Sequence, residues 1–323
     1  MGDCSERIEP AARARDQAPR LPDEIEPVRR PSDIEEITNA LFIHPISSRV
    51  ALLLRDLHVS ANAASILGMM FGLTAGVAYF HYRDWKSAAA GFALMIAWHI
   101  MDGADGQLAR LTHSQSELGR VLDGICDYVT FAAVYTALAL RLSAQFGNFV
   151  WPLAVAAGIC HAIQAGAYEA QRQEYEYWGC GRASKNILKP ATENPAPAKR
   201  QWRPFDWIYQ KVQFAAIGAT LAFHKVLERR RTDLGAEQLQ RRYREIFAPS
   251  VRRWSLMSAN YRTIGIFLCA IFKVPLAYFF IEIVGFSLVM ALLTYQQRPL
   301  RTMMLRSLNH TDAAVHQTVR RNR

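Results

Sequence analysis

Four carboxylates at helical spacing carry the chemistry of this chain. Asp102 and Asp105 stand at i and i+3, Asp123 and Asp127 at i and i+4, so each pair shares one helix face. Like charges so placed destabilise a helix unless something neutralises them. At a membrane boundary the penalty grows, because the local dielectric is lower. No His or Cys cluster lies nearby in sequence, so these hard oxygens call for a hard divalent cation such as Mg²⁺, Mn²⁺ or Ca²⁺. Four carboxylates suffice for two such ions, and paired ions suit displacement at phosphorus. Gly106 and Ala109 leave a nearly bare helix surface on which a base or a diphosphate can lie. Arg110 adds a planar fork for phosphate oxygens. The rival reading, a polar cap of solvated acids, does not explain why the acids flank small residues between two apolar segments.

The elements that position these groups are apolar. Of 323 residues 51% are hydrophobic and they fall in blocks, which predicts an all-α integral membrane protein. Six transmembrane helices are expected, at about residues 60–80, 87–108, 121–140, 149–168, 263–280 and 281–295. An amphipathic stretch at 41–57, interrupted by Pro45, is expected to lie on the membrane surface before the first of them. Residues 1–37, with five prolines and no apolar periodicity, read as a disordered cytoplasmic tail. The interfacial helix and the first four spans then occupy 38–170. Residues 171–259 form a cytoplasmic helical insertion between helices 4 and 5, with an amphipathic helix at 205–231 and a surface helix at 238–247. Spans five and six occupy 260–297, and 298–323 is a basic cytoplasmic tail.

Segments 1–58, 171–259 and 298–323 hold eight, seventeen and six Lys or Arg, against three in the short loops 81–86 and 141–148. With six spans the basic segments share one side, which the positive-inside rule makes cytoplasmic. The carboxylates then open to the cytoplasm, from the inner membrane if the cell is bacterial. The net charge of +10 is accounted for by topology and anionic head groups, and no nucleic acid is expected as a partner.

Asp102, Asp105, Gly106, Ala109, Arg110, Gly119, Asp123 and Asp127 agree with the pattern D-x2-D-G-x2-A-R-x8-G-x3-D-x3-D. At roughly 5% usage per residue type, a chance match at one start position is on the order of 10⁻¹⁰. In this pattern the chain resembles the CDP-alcohol phosphotransferase (CDP-alcohol phosphatidyltransferase) superfamily. The resemblance implies that Asp102, Asp105, Asp123 and Asp127 bind two divalent ions, Mg²⁺ or Mn²⁺. It implies that Asp123 and Asp127 are catalytic, with Asp127 the general base. Asp102, Gly106, Ala109 and Gly119 would line the CDP pocket and Arg110 would support the diphosphate. The implied reaction breaks the diphosphate of a CDP-linked donor, with CDP-diacylglycerol favoured, joins a substituted phosphate to an alcohol acceptor and releases CMP. A homodimer is also implied. Two alternatives stay open: transfer of a phosphocholine- or phosphoethanolamine-type head group to diacylglycerol or ceramide, and a membrane cation carrier, which would make no CMP.

Other features admit two readings each. His161, Gln164, Tyr168 and Arg172 fall on one stripe of the fourth span, together with Glu169. They are expected to wall an acceptor pocket, while interhelical hydrogen bonding explains them equally well. His99, one turn before Asp102, is either a support for that acid or a packed core histidine. Asn62 is either a helix cap or a nucleotide contact. Gly68, Gly72 and Gly76 make a small-residue stripe, read first as packing within one subunit.

Overall fold

A computed structural model of the chain describes residue 31, residues 33–182 and residues 221–321. Every regular element among them is helical. A π-helical turn, Asn39–Ile43, leads into α1 (His44–Asp56); α2 (Ala61–Phe80), α3 (Trp85–Leu111), α4 (Glu117–Phe146) and α5 (Val150–Cys180) follow. The second half holds α6 (Leu221–Leu234), α7 (Ala236–Trp254), α8 (Ala259–Ile271), α9 (Pro275–Phe280), a π-helical turn at Ile281–Gly285, and α10 (Phe286–Arg321).

Local chemistry sets the boundaries. Ser60 caps α2 by accepting from the Ala63 amide at 3.2 Å, Asp84 caps α3 through Lys86 N at 3.2 Å, and Ser116 caps α4 through Gly119 N at 2.9 Å. Gly147 (φ 93°) and Gly181 (φ 67°) end α4 and α5 in a conformation that favours glycine. α2, α4, α5 and the continuous Pro275–Leu308 stretch are each long and apolar enough to cross a membrane. Ile66, Met70 and Val77 of α2, Val155 and Ile159 of α5 and Leu288 and Leu292 of α10 point outward, as a lipid-facing belt must. The chain is therefore read as an integral membrane protein.

The main core joins α2, α3, α4, α5, α8 and α9 around Tyr79, Trp98, Phe131, Tyr135 and Tyr278. The glycine stripe of α2 is spent inside this core. A Cβ on Gly68 would stand 3.1 Å from Met101 Cβ, one on Gly76 would stand 3.1 Å from the Ala133 backbone, and Gly72 leaves no room beside Thr130. α1 buries Ser47, Ala51 and Leu54 against α3 while Leu41 is 76% exposed and Leu53 and Leu57 also face out, the distribution of a helix lying on a membrane surface.

Several expected boundaries move. The apolar stretch 263–280 is cut at 272–274, because Lys273 adopts φ 62° and Pro275 opens the next helix. The boundary expected at 280/281 falls inside a continuous helical run, where the π-helical turn places Glu282 in the interior. α5 does not stop near 168 or 170 but continues to Cys180, and α10 carries the expected tail 298–323 as helix to Arg321. Residues 33–36 are docked, not free: Ile34 and Glu36 are buried, and Tyr175 donates a short hydrogen bond to Asp33. Of the helix expected at 205–231, residues 205–220 lie outside the described residues. The surface helix expected at 238–247 is longer, as α7, and buries Leu239, Tyr243, Phe247, Val251 and Trp254 at near-regular fourfold spacing. With Tyr175 and Trp178 of α5, Phe223 and Leu227 of α6, and Met304 and Leu308 of α10, four of these residues (Leu239, Tyr243, Phe247 and Val251) build a second hydrophobic core.

Candidate metal and nucleotide site

α3 and α4 are joined by the short turn 112–116, so the last turns of one lie beside the first turns of the other. This hairpin brings Asp102, Asp123 and Asp127 together: one carboxylate oxygen from each lies within 4.8 Å of the others. Oδ1 of Asp127 is buried without a hydrogen-bond partner. A buried, unsatisfied carboxylate oxygen is costly, and three acids facing one another raise that cost. A hard divalent cation at their centre would satisfy both demands, so the donor set fits such an ion.

Asp105 stands apart from the three. It is buried, and Ser65 of α2 donates a short hydrogen bond to its Oδ2. Ser65 is a residue that spacing alone did not single out, since it lies forty positions away on another helix. Gly106 faces the Arg110 guanidinium, whose nitrogens would lie 3.7 and 3.8 Å from a Cβ there. Arg110 is also electrostatically coupled to Asp105. Gly119 lies beside Asn62, whose Oδ1 would be 3.2 Å from an added Cβ. Asn62 thus lies beside Gly119, whereas the capping role at the start of α2 falls to Ser60. A Cβ on Gly124 would meet nothing within 4 Å, so α4 is open at the position that follows Asp123.

The stripe on α5 is tied by hydrogen bonds to several other parts of the chain. The Tyr135 hydroxyl pairs with His161 Nδ1 and with the Tyr278 hydroxyl, each at 3.1 Å. Gln164 donates to the Glu282 carbonyl and to Ser287 Oγ at 3.1 Å and accepts from Arg262 Nη2 at 2.8 Å. Tyr168 donates to Glu36 at 3.1 Å. Arg172 is clasped between Glu169 (Nε to Oε2, 2.8 Å) and Glu176 (2.7 Å). The interhelical reading therefore describes His161 and Gln164. His99 pairs with Thr263 of α8 at 2.9 Å and is buried, the packed-histidine reading.

Residues 58–192 match the family model described as CDP-alcohol phosphatidyltransferase. Curated relatives named CDP-diacylglycerol--serine O-phosphatidyltransferase, from Mycobacterium bovis and Mycobacterium tuberculosis, are each 29% identical over 120 residues. That alignment covers 37% of this chain and 40% of the relatives' own length. All four aspartates fall inside the matched segment.

Proposed function

We propose that the chain, which matches the CDP-alcohol phosphatidyltransferase family model over residues 58–192, synthesises a phospholipid. The donor is CDP-diacylglycerol and the acceptor a small alcohol, with serine the first to test because the relatives' name specifies it. The observation that carries this reading is the convergence of Asp102, Asp123 and Asp127 around the partnerless Oδ1 of Asp127.

Asp102, Asp123 and Asp127 would hold one divalent ion, and Asp105 would extend the set to a second. Bound there, Mg²⁺ or Mn²⁺ supplies charge neutralisation for the diphosphate and its leaving group. The bare surface of Gly106, Ala109 and Gly119 admits the nucleotide, and the Arg110 fork beside Gly106 pairs with diphosphate oxygens. Asp127 takes the acceptor hydroxyl proton as the alcohol oxygen bonds to the phosphorus bearing the diacylglycerol. The bond from that phosphorus to the CMP oxygen breaks, and CMP leaves with the electron pair. Proton removal of this kind is worth roughly 10²–10⁴ in rate.

The acceptor wall is placed along His161, Gln164, Tyr168 and Arg172 of α5, each of which also hydrogen-bonds a neighbouring protein group. A cytoplasmic site is supported by the distribution of Lys and Arg. A homodimer is carried over from the resemblance alone. The test is to incubate purified protein and Mg²⁺ or Mn²⁺ with a panel of CDP-linked donors and alcohols. CMP release with CDP-diacylglycerol and serine is expected. CMP release only with CDP-choline or CDP-ethanolamine and a neutral lipid would transfer the assignment to the other branch, and no CMP with any pair would sink it.

A further inference from the structure

At the end of the bundle remote from the aspartates, a cleft of about 350 Å³ opens between the C-terminal turn of α4 and the break between α8 and α9. Its floor is apolar, with Tyr82, Leu142, Phe146, Pro275 and Phe280, and Lys273 and Gln145 stand among its lining residues. Arg83 Nη2 donates to Gln145 Oε1 at 2.5 Å, which places a second cation beside the same wall. Trp85 (61% exposed) and Phe272 (72% exposed) flank this end, as aromatic side chains do at a membrane–water boundary.

The backbone at Lys273 adds an independent observation. Val274 N donates to Cys269 O at 2.8 Å and Lys273 N to Ala270 O at 3.0 Å, the paired bonds of a Schellman ending, with Lys273 at the left-handed position. Glycine is the residue that fits this position without penalty. A lysine kept there holds an ammonium at the lip of an apolar cleft. A cation above an apolar slot at a membrane boundary complements a molecule with a phosphate head and a hydrocarbon chain.

We propose that this cleft binds an anionic phospholipid of the leaflet at that end, with an acyl chain along Leu142, Phe146 and Phe280 and the phosphate on Lys273. The site is separate from the aspartate cluster and does not depend on the transferase reading.

The full-length protein in phosphatidylcholine nanodiscs, with and without phosphatidylglycerol, provides the test. Two readouts are the thermal shift caused by phosphatidylglycerol and the amount of that lipid retained per protein after exchange into neutral lipid. Lys273→Gln is expected to remove more than half of the shift and of the retained lipid. Ala277→Trp, which fills the slot without changing charge, should do the same. Lys86→Gln removes an exposed charge at the same end but outside the cleft, and should change neither. Lys273→Gly guards against misfolding: it should raise the Tm in neutral lipid by relieving the backbone, yet lose the phosphatidylglycerol shift. Equal losses in Lys273→Gln and Lys86→Gln would reduce the effect to general surface charge and overturn the proposal. So would a full shift in Lys273→Gly or Ala277→Trp.

Discussion

Acidic side chains occur in two kinds of surroundings in this protein. Glu282 and Arg262 are both 0% exposed; Arg262 Nε donates to Glu282 Oε1 at 3.0 Å and the Tyr278 hydroxyl to Oε2 at 2.8 Å. Glu36 accepts from Tyr168 at 3.1 Å, Ser258 at 2.9 Å and Asn260 at 2.8 Å. Glu174 accepts from Tyr243 at 3.1 Å and lies 3.2 Å from His224 Nε2. These glutamates are surrounded by donors. Asp102, Asp123 and Asp127 instead converge on one another, and one oxygen of Asp127 has no donor at all. The contrast separates acids surrounded by donors from acids that face one another.

Substitution should break the two groups in different ways. The largest effect is expected on turnover. Asp127→Asn should lose about 10²–10⁴ in rate, and Asp102→Asn, Asp105→Asn or Asp123→Asn should abolish detectable CMP release, each with folding intact by size-exclusion chromatography. Near-wild-type turnover in any of the four would remove that residue from the site.

Glu282→Gln should act on the fold. It leaves the Arg262 guanidinium buried without its counter-charge, a loss of about 3–5 kcal/mol, read as a lowered thermal midpoint in detergent. A midpoint unchanged from wild type would mean that the pair is not the clamp its geometry describes.

Metal should distinguish the groups by sign. Mg²⁺ at about 100 times its Kd should stabilise the wild type by roughly 2.7 kcal/mol, and chelation should remove that gain. In Asp123→Asn the gain should shrink. The metal-free protein should instead be more stable by on the order of 1 kcal/mol, above the ~0.2–0.5 kcal/mol of an exposed like-charge pair because the local dielectric is lower. A destabilised metal-free Asp123→Asn would place the aspartates with the satisfied glutamates and erase the distinction.

The last effect concerns bulk, not charge. Gly106→Leu should weaken CDP binding tenfold or more, about 1.4 kcal/mol, in a calorimetric titration, with the metal response retained. Wild-type affinity would show that the nucleotide does not use this face.

The same contrast explains what was legible in the sequence. The aspartates could be read because their spacing lies within two adjacent helices, where position along the chain fixes the face. α2 was equally plain, since Ser60 and twenty apolar-rich residues define it locally. The partners of the glutamates were not legible: Ser258 is 222 residues from Glu36, and Tyr243 is 69 from Glu174. Charge and proline content made 33–36 look like free tail, because nothing local reveals that Tyr168 and Tyr175 will receive its acids. The cut at 272–274 was legible only in part: Lys273 and Pro275 interrupt the apolar stretch, but they do not by themselves place a turn there. Phe272 and Val274 keep the stretch apolar, and a left-handed lysine has no compositional signature.

The clasp on Glu36 also orders events in time. Its acceptor oxygens are made near the start of the chain, whereas Ser258 and Asn260 follow 222 and 224 residues later. At synthesis rates of about 5–20 residues per second, the carboxylate waits about 10–45 s for those two partners. The hairpin of α3 and α4 is complete long before then, so the acidic site is assembled early in translation. The knot that ties the amino-terminal segment to α5 and α8 is closed only after most of the membrane helices have emerged from the ribosome.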